Sequence, residues 1–211
     1  TNLGQPFADN TNRFAKASLQ VGNRVLVQSS SYRVYSIDLA TSEIQLLTRT
    51  GREYALARAL EPIAEGFDLV LIDCPPALNL LTVNAFCAAK YVFVPVQCEY
   101  MALEGLTELL SSIEMVRENL NPGLELGGVI LTMFDKRTAL SREVADEVRR
   151  HFPQTFSAVV PRNVKVAEAP SHAATIMEYA PESPAAKAYK QVADEMFIDY
   201  MGFAGMEYIN C

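Results

Sequence analysis

FDLVLIDCPPALNLLTVNAFCAAKYVFVPVQCEY, residues 67–100, is the stretch whose reading decides the fold. It carries four consecutive apolar residues, Leu69-Val70-Leu71-Ile72, and sets a carboxylate, Asp73, at the end of the run. A short apolar run bounded by turn residues predicts a strand buried on both faces, as in parallel sheets. Cys74-Pro75-Pro76 then stops the ladder, because proline has no N–H to donate. A helix over about Leu80–Ala89 follows, and a second apolar strand, Tyr91–Gln97, completes the unit. Asp73 is thereby put at the carboxyl edge of a strand, where open α/β sheets bind their ligands.

Working outward, the same alternation continues. Met101–Leu120 reads as a helix with one apolar stripe, Leu103, Leu106, Leu110, Ile113 and Val116, stopped by Asn121-Pro122-Gly123. Leu126–Met133 is the next strand, with Gly127-Gly128 placed just before its apolar run Val129–Met133. Leu140, Val144, Val148 and Phe152 define a helix, and Thr155–Val160 a strand that ends at Pro161. Pro184 suits the first turn of a last helix, along which Ala186, Tyr189, Ala193 and Met196 are expected to face inward. Upstream, Arg24–Gln28 and Arg33–Ile37 are short strand candidates. A helix from about Thr41 is weakened at Gly51 and Pro62. Strand and helix alternating from about residue 68 to 197 predict right-handed βαβ units on a parallel sheet.

Composition narrows the function classes. Of 211 residues, 50% are hydrophobic and 20% charged, which places the chain among globular proteins rather than disordered ones. The net charge of −7 excludes a general basic coat, so any nucleic-acid contact has to be local. No window approaches the ~18 uninterrupted apolar residues of a membrane span, and TNLGQPFADN has no signal-peptide pattern, so a cytoplasmic protein is expected. Cys74, Cys87, Cys98 and Cys211 form no C-x-x-C pair, and His151 and His172 stand alone. Thiolate-metal and disulfide frameworks are therefore not indicated.

Four strand ends carry polar groups: Asp73, Gln97-Cys98-Glu99, Thr132-Met133-Phe134-Asp135 and Pro161-Arg162-Asn163. Polar residues gathered at carboxyl ends are what a ligand site needs, and also what appears wherever a strand leaves the core. Asp73 has the shape of a Walker B carboxylate, which helps hold Mg²⁺ beside a nucleotide phosphate. A capping or turn role suits the same pattern.

The segments LVLIDCPPALNLLTVNAFCAA, VFVPVQCEYMALEGL, GVILTMFDKRTALSREVADEVRRHF and VVPRNVKVAEAPSH, in this order, closely resemble the ParA/Soj chromosome- and plasmid-partitioning ATPases, in the MinD/ParA branch of P-loop NTPases. The likeness runs from about Tyr32 to Phe197. It implies an α/β fold, a parallel-sheet three-layer P-loop NTPase-like (Rossmann-like) architecture, here N-terminally incomplete. Residues 1–31 are read as a divergent N-terminal segment, 32–198 as the ParA-like ATPase domain and 199–211 as an unassigned tail. The resemblance further implies ATP and Mg²⁺, a homodimer, non-specific DNA, a ParB-like partner and a nucleoid-associated location. By position, Asp73 would act on Mg²⁺ through water, and Pro75-Pro76 would belong to the γ-phosphate-sensing switch. Met133, Asp135, Pro161, Arg162 and Asn163 would lie around the adenine, and Arg149, Arg150, Arg162 and Lys165 would face DNA phosphates. One departure matters: phosphate cradling needs G-x-x-x-x-G-K-[ST], and these 211 residues contain no Gly-Lys pair. The family's switch I segment is absent too. Little or no ATP hydrolysis by this chain alone is expected, because phosphoryl transfer rests on positioning and electrostatics. A non-hydrolysing DNA- or partner-binding protein of the same family and a metabolic P-loop ligase are the alternatives.

Overall fold

The computed structural model describes residues 14–15, 24–29, 33–38, 50–64, 69–74, 79–100 and 102–201. The chain divides into two units, Thr1–Lys90 with Ser112–Leu124, and Tyr91–Ser111 with Glu125–Cys211.

In the first unit the strands β1 (Phe14–Ala15), β2 (Arg24–Ser29), β3 (Arg33–Asp38) and β4 (Leu69–Asp73) are ordered β1-β2-β3-β4. β1/β2 and β2/β3 pair antiparallel and β3/β4 parallel. The β-branched runs in β2 and β3 form strands as their composition predicts. β4 departs from the expected doubly buried strand, since Leu71 is 40% exposed. Among the described residues β4 pairs only with β3, and an edge strand is covered less than a central one.

Gly51, at φ 62°, supplies a left-handed turn into a short 3₁₀ segment, Arg52–Tyr54, and then into α1, Ala55–Ala64. Gly51 stands ahead of the helix, and Pro62 lies inside α1. The part of that helix predicted from Thr41 to residue 49 is outside the described residues. α2 spans Leu80–Ala88, and the Asn79 side chain accepts the N–H groups of Leu81 and Thr82 at its start, each at 3.1 Å. Asn84, 1% exposed, accepts from the Leu56 N–H at 3.1 Å and donates to the Leu80 carbonyl at 2.9 Å. This buried amide ties α1 to α2 with its polar atoms partnered. α3, Ala102–Asn119, passes through both units, with Leu106, Ile113 and Val116 of the predicted stripe buried.

The second unit is built on β5 (Tyr91–Gln97), β6 (Glu125–Phe134) and β7 (Thr155–Pro161), all parallel. α4 (Ala139–His151) links β6 to β7. After β7 come α5 (Val164–Glu168), a 3₁₀ turn (Ala169–His172), α6 (Ile176–Tyr179) and α7 (Pro184–Met201). Alternation along the strands divides the core. Val94, Val96, Val129 and Leu131 pack with Leu106, Val144 and Val148 on one side, while Phe156, Ala158 and Val160 pack with Ala188 and Val192 on the other.

One sequence expectation is met here and one corrected in part. Gly127 and Gly128 lie within β6, under the rings of Phe93 and Phe156, which meet edge to face at 5.9 Å. On α7 the predicted Ala186 is buried and Met196 packs partly buried against the core, joined by Ala185, Ala188 and Val192, whereas Tyr189 is 37% exposed. Small alanines let the helix approach the sheet closely, so the buried stripe follows them and not the large side chain. From α7, Glu195 reaches β7: its carboxylate accepts the N–H groups of Ser157 and Ala158, both at 2.8 Å, and the Ser157 hydroxyl at 2.6 Å.

Candidate functional site

The carboxyl edge of the β5–β6–β7 sheet is held by cross-strand bonds. The Cys98 N–H donates to the Thr132 carbonyl at 3.0 Å, and the Arg162 N–H to the Phe134 carbonyl at 3.0 Å. Ser141, 5% exposed near the start of α4, donates to the Cys98 carbonyl at 3.1 Å and accepts from the Asp135 N–H at 3.4 Å. The ends of β5 and β6 are thus pinned to one helix.

Met133 sits on this edge at φ 54°, a left-handed conformation that costs a side-chain-bearing residue ~1–3 kcal/mol. It lies where the β6/β7 register shifts between Leu131 and Phe134, a bulge of the kind found beside ligand sites. The Asp135 carboxylate receives the Arg137 backbone N–H at 3.0 Å and its guanidinium at 2.9 Å and 2.7 Å. These bonds hold the Asp135 carboxyl well below the usual carboxylate range and fix the Arg137 fork. Pro161 ends β7, and the Asn163 side chain accepts the Lys165 N–H at 2.9 Å, capping α5. Met133, Asp135, Pro161, Arg162 and Asn163 therefore share one sheet edge.

The basic side chains are in two places. Arg149 and Arg150 stand in the last turn of α4, ahead of β7, while Arg162 and Lys165 follow its carboxyl end. The length of β7, roughly 20 Å at ~3.3 Å per residue, lies between the two pairs. Arg162 is bound by Glu99 at 2.7 Å, Lys165 by Glu168 at 2.8 Å, and Arg150 by Glu147. Glu168 also receives the Tyr179 hydroxyl at 2.9 Å, and the His172 ring stacks on Tyr179 at 4.7 Å.

In the first unit, Asp73 closes β4 in an exposed position, with Asp38 beside it in register on β3. A hard carboxylate oxygen at a strand end is the donor type that Mg²⁺ takes. Burial pushes the neighbouring Cys74 thiol up to about 11, and the charge of Asp73 adds to this. Pro75-Pro76 lies outside the described residues. Sequence reading did not single out Asp38; its place beside Asp73 comes from strand pairing between segments 35 residues apart in the chain, 73 minus 38.

Comparison with known proteins supplies the context for these positions. The family described as an AAA domain matches residues 16–126, and the NifH/frxC family of 4Fe-4S iron-sulfur cluster binding proteins matches residues 83–202. Over 162 residues the chain is 46% identical to the sporulation initiation inhibitor protein Soj of Bacillus subtilis, covering 76% of this chain and 64% of that protein. It is 52% identical over 162 residues to the chromosome partitioning protein ParA of Caulobacter vibrioides, covering 75% of this chain and 61% of that one. The chain belongs to the ParA/Soj family. It spans about three-fifths of the length of these relatives.

Solved structures agree on the P-loop NTPase fold. The cobyrinic acid a,c-diamide synthase of Mycobacterium smegmatis, crystallised with ADP and magnesium, superposes with a TM-score of 0.60 at 38% identity over 74% of this chain and 56% of that one. The cell division ATPase MinD of Pyrococcus furiosus gives 0.56 at 23% identity, covering 68% and 57% of the two chains. The iron-sulfur chemistry named for the NifH/frxC family does not fit the residues described. No group of three or more His, Cys, Asp or Glu is gathered to hold a metal among the described residues.

Proposed function

We propose that this chain works as a chromosome or plasmid partitioning protein of the ParA/Soj type. It binds DNA without sequence preference as an ATP- and Mg²⁺-dependent dimer and answers to a ParB-like partner, in the cytoplasm at the nucleoid. The observation that carries this reading is the 46% and 52% identity to Soj and ParA over 162 residues. Asp73 holds Mg²⁺ through a water. Met133, Asp135, Pro161, Arg162 and Asn163 surround the adenine, with Asp135 acting through the Arg137 fork it fixes. The strained Met133 supports this placement, since backbone strain concentrates where a ligand is clamped. With no Gly-Lys phosphate cradle in its 211 residues, the chain by itself turns ATP over slowly or not at all.

The deciding experiment is a thermal shift with and without Mg²⁺-ATP, run beside a phosphate-release assay. A ligand that binds only the folded state raises the midpoint, by about 2.7 kcal/mol of added stability at a hundred times Kd. A raised midpoint that Asp73→Ala abolishes, with little phosphate release, is expected. No shift at millimolar Mg²⁺-ATP would remove nucleotide binding from the reading. The metabolic alternative draws on the 38% identity to the diamide synthase. ATP turnover dependent on an added carboxylate and an amide donor would favour it.

A further inference from the structure

We propose that three internal carboxylates mask the DNA-facing cations of this chain, so that Glu99, Glu147 and Glu168 set its affinity for DNA. The inference rests on the DNA-binding reading above and adds to it a control built into the surface. Three of the four basic residues assigned to DNA are already engaged, each by its own carboxylate: Arg162 by Glu99, Lys165 by Glu168 and Arg150 by Glu147. Each cation is matched one to one, so these three positions together carry no net charge, in a chain whose total is −7.

A phosphate reaching any of these cations must displace the carboxylate or lie beside it. The displaced carboxylate then stands a few ångströms from a like charge. The pairs differ in how they can yield. Glu99 and Arg162 are both about half exposed, 54% and 55%, so solvent screens them. Glu168 is less exposed, and the Tyr179 hydroxyl holds the same Oε2 that Lys165 contacts. Glu168 therefore stays beside Lys165 even when the ammonium turns toward a phosphate. Its carboxyl is held below the usual range, first by Lys165 and then by Tyr179, so it keeps its charge at neutral pH. Glu147 is shared with His151, whose Nδ1 lies 3.3 Å from it.

The test compares the parent with E99Q/E147Q/E168Q on a mixed-sequence duplex, by fluorescence anisotropy from about 20 to 200 mM salt. Glutamine keeps the acceptor that Tyr179 uses while removing the charge. A control triple, E61Q/E104Q/E118Q, changes three exposed acids outside the pairs and raises the net charge equally. Exposed ion pairs of this kind are worth ~0.2–1 kcal/mol each, so each removal tightens binding about 1.5- to 5-fold. The masked triple should gain ~10-fold or more over the parent at low salt. Its log–log salt slope should steepen by up to about 0.9 for each cation released. The single variant E168Q should gain more than E99Q.

A gain no larger than that of the control triple overturns the masking. An unchanged affinity does the same while the parent still binds, and leaves the DNA reading standing. Loss of parent binding in R149A/R150A/R162A/K165A identifies that reading as sound. No binding by the parent or the triple at ~20 mM salt overturns both. Circular dichroism of each variant checks the fold, and E99Q and E168Q alone decide the matter if the triple is unstable.

Discussion

Replacing Gly128 by alanine tests the packing of the β5–β6–β7 sheet directly. An added Cβ would overlap Phe156 Cε1, stand 2.8 Å from its Cδ1 and lie 3.0 Å from the Gln154 carbonyl oxygen. The carbonyl belongs to backbone that bonds the Val129 N–H at 3.2 Å, so it cannot retreat without loosening the sheet. Phe156 is 4% exposed, and its ring has no solvent to move into. Overpacking of a core costs ~1–3 kcal/mol, and an off-rotamer ring adds ~0.5–1.5. A loss of about 3 kcal/mol is expected, which for a chain of this size lowers Tm by roughly 6–12 °C. Urea unfolding of G128A, F156A and the double variant reads it. F156A alone should cost ~3–5 kcal/mol, but with the ring gone G128A should cost only ~1, a coupling of about 2 kcal/mol. A cost for G128A within ~0.5 kcal/mol of zero, or no coupling to Phe156, would refute the account.

Two further outcomes follow from satisfied polar groups. Asn84→Ala leaves the Leu56 N–H without its acceptor and should cost ~2–3 kcal/mol in urea unfolding, and Asn84→Leu, which restores volume, should cost nearly as much; full rescue by leucine would show that packing, not the hydrogen bond, matters. Asp135, with its carboxyl depressed by Arg137, stabilises the fold above the ordinary carboxylate range and loses that contribution as pH falls through its lower folded value. The stability gap between the parent and Asp135→Asn should therefore be full at pH 6 and shrink below about pH 4, and a gap equal at pH 6 and pH 3 would refute it.

How much of this was legible depended on how local each cause is. β5 runs over Tyr91–Gln97 as predicted, and α2 over Leu80–Ala88, because an apolar run between turn residues and an Asn cap act within a few residues. Periodicity found Ala186 and Met196 on the inner face of α7 but misplaced Tyr189, since it weighs a large side chain and cannot see that Ala185 and Ala188 are buried because they are small. Nothing local to Gly127-Gly128 foretells the rings of Phe93 and Phe156, which arrive from two other strands. α5 and α6, of five and four residues, are too short to show a period. The candidate edge was legible as a set of strand ends, but not the conformation of Met133 or the Glu99–Arg162 pair, which joins residues 63 apart. Family resemblance named the residues; only geometry shows which are already held.

The grip of Glu195 on β7 has a consequence for assembly. Two successive amides left over by the irregular β6/β7 register are satisfied from within by one carboxylate. These two amides lie where the β6/β7 register shifts, and they are closed to a strand of another copy while α7 stays in place. Strand pairing at Ser157 and Ala158 therefore requires α7 to lift away first, so the helix that walls the core also shields a gap in the strand beneath it.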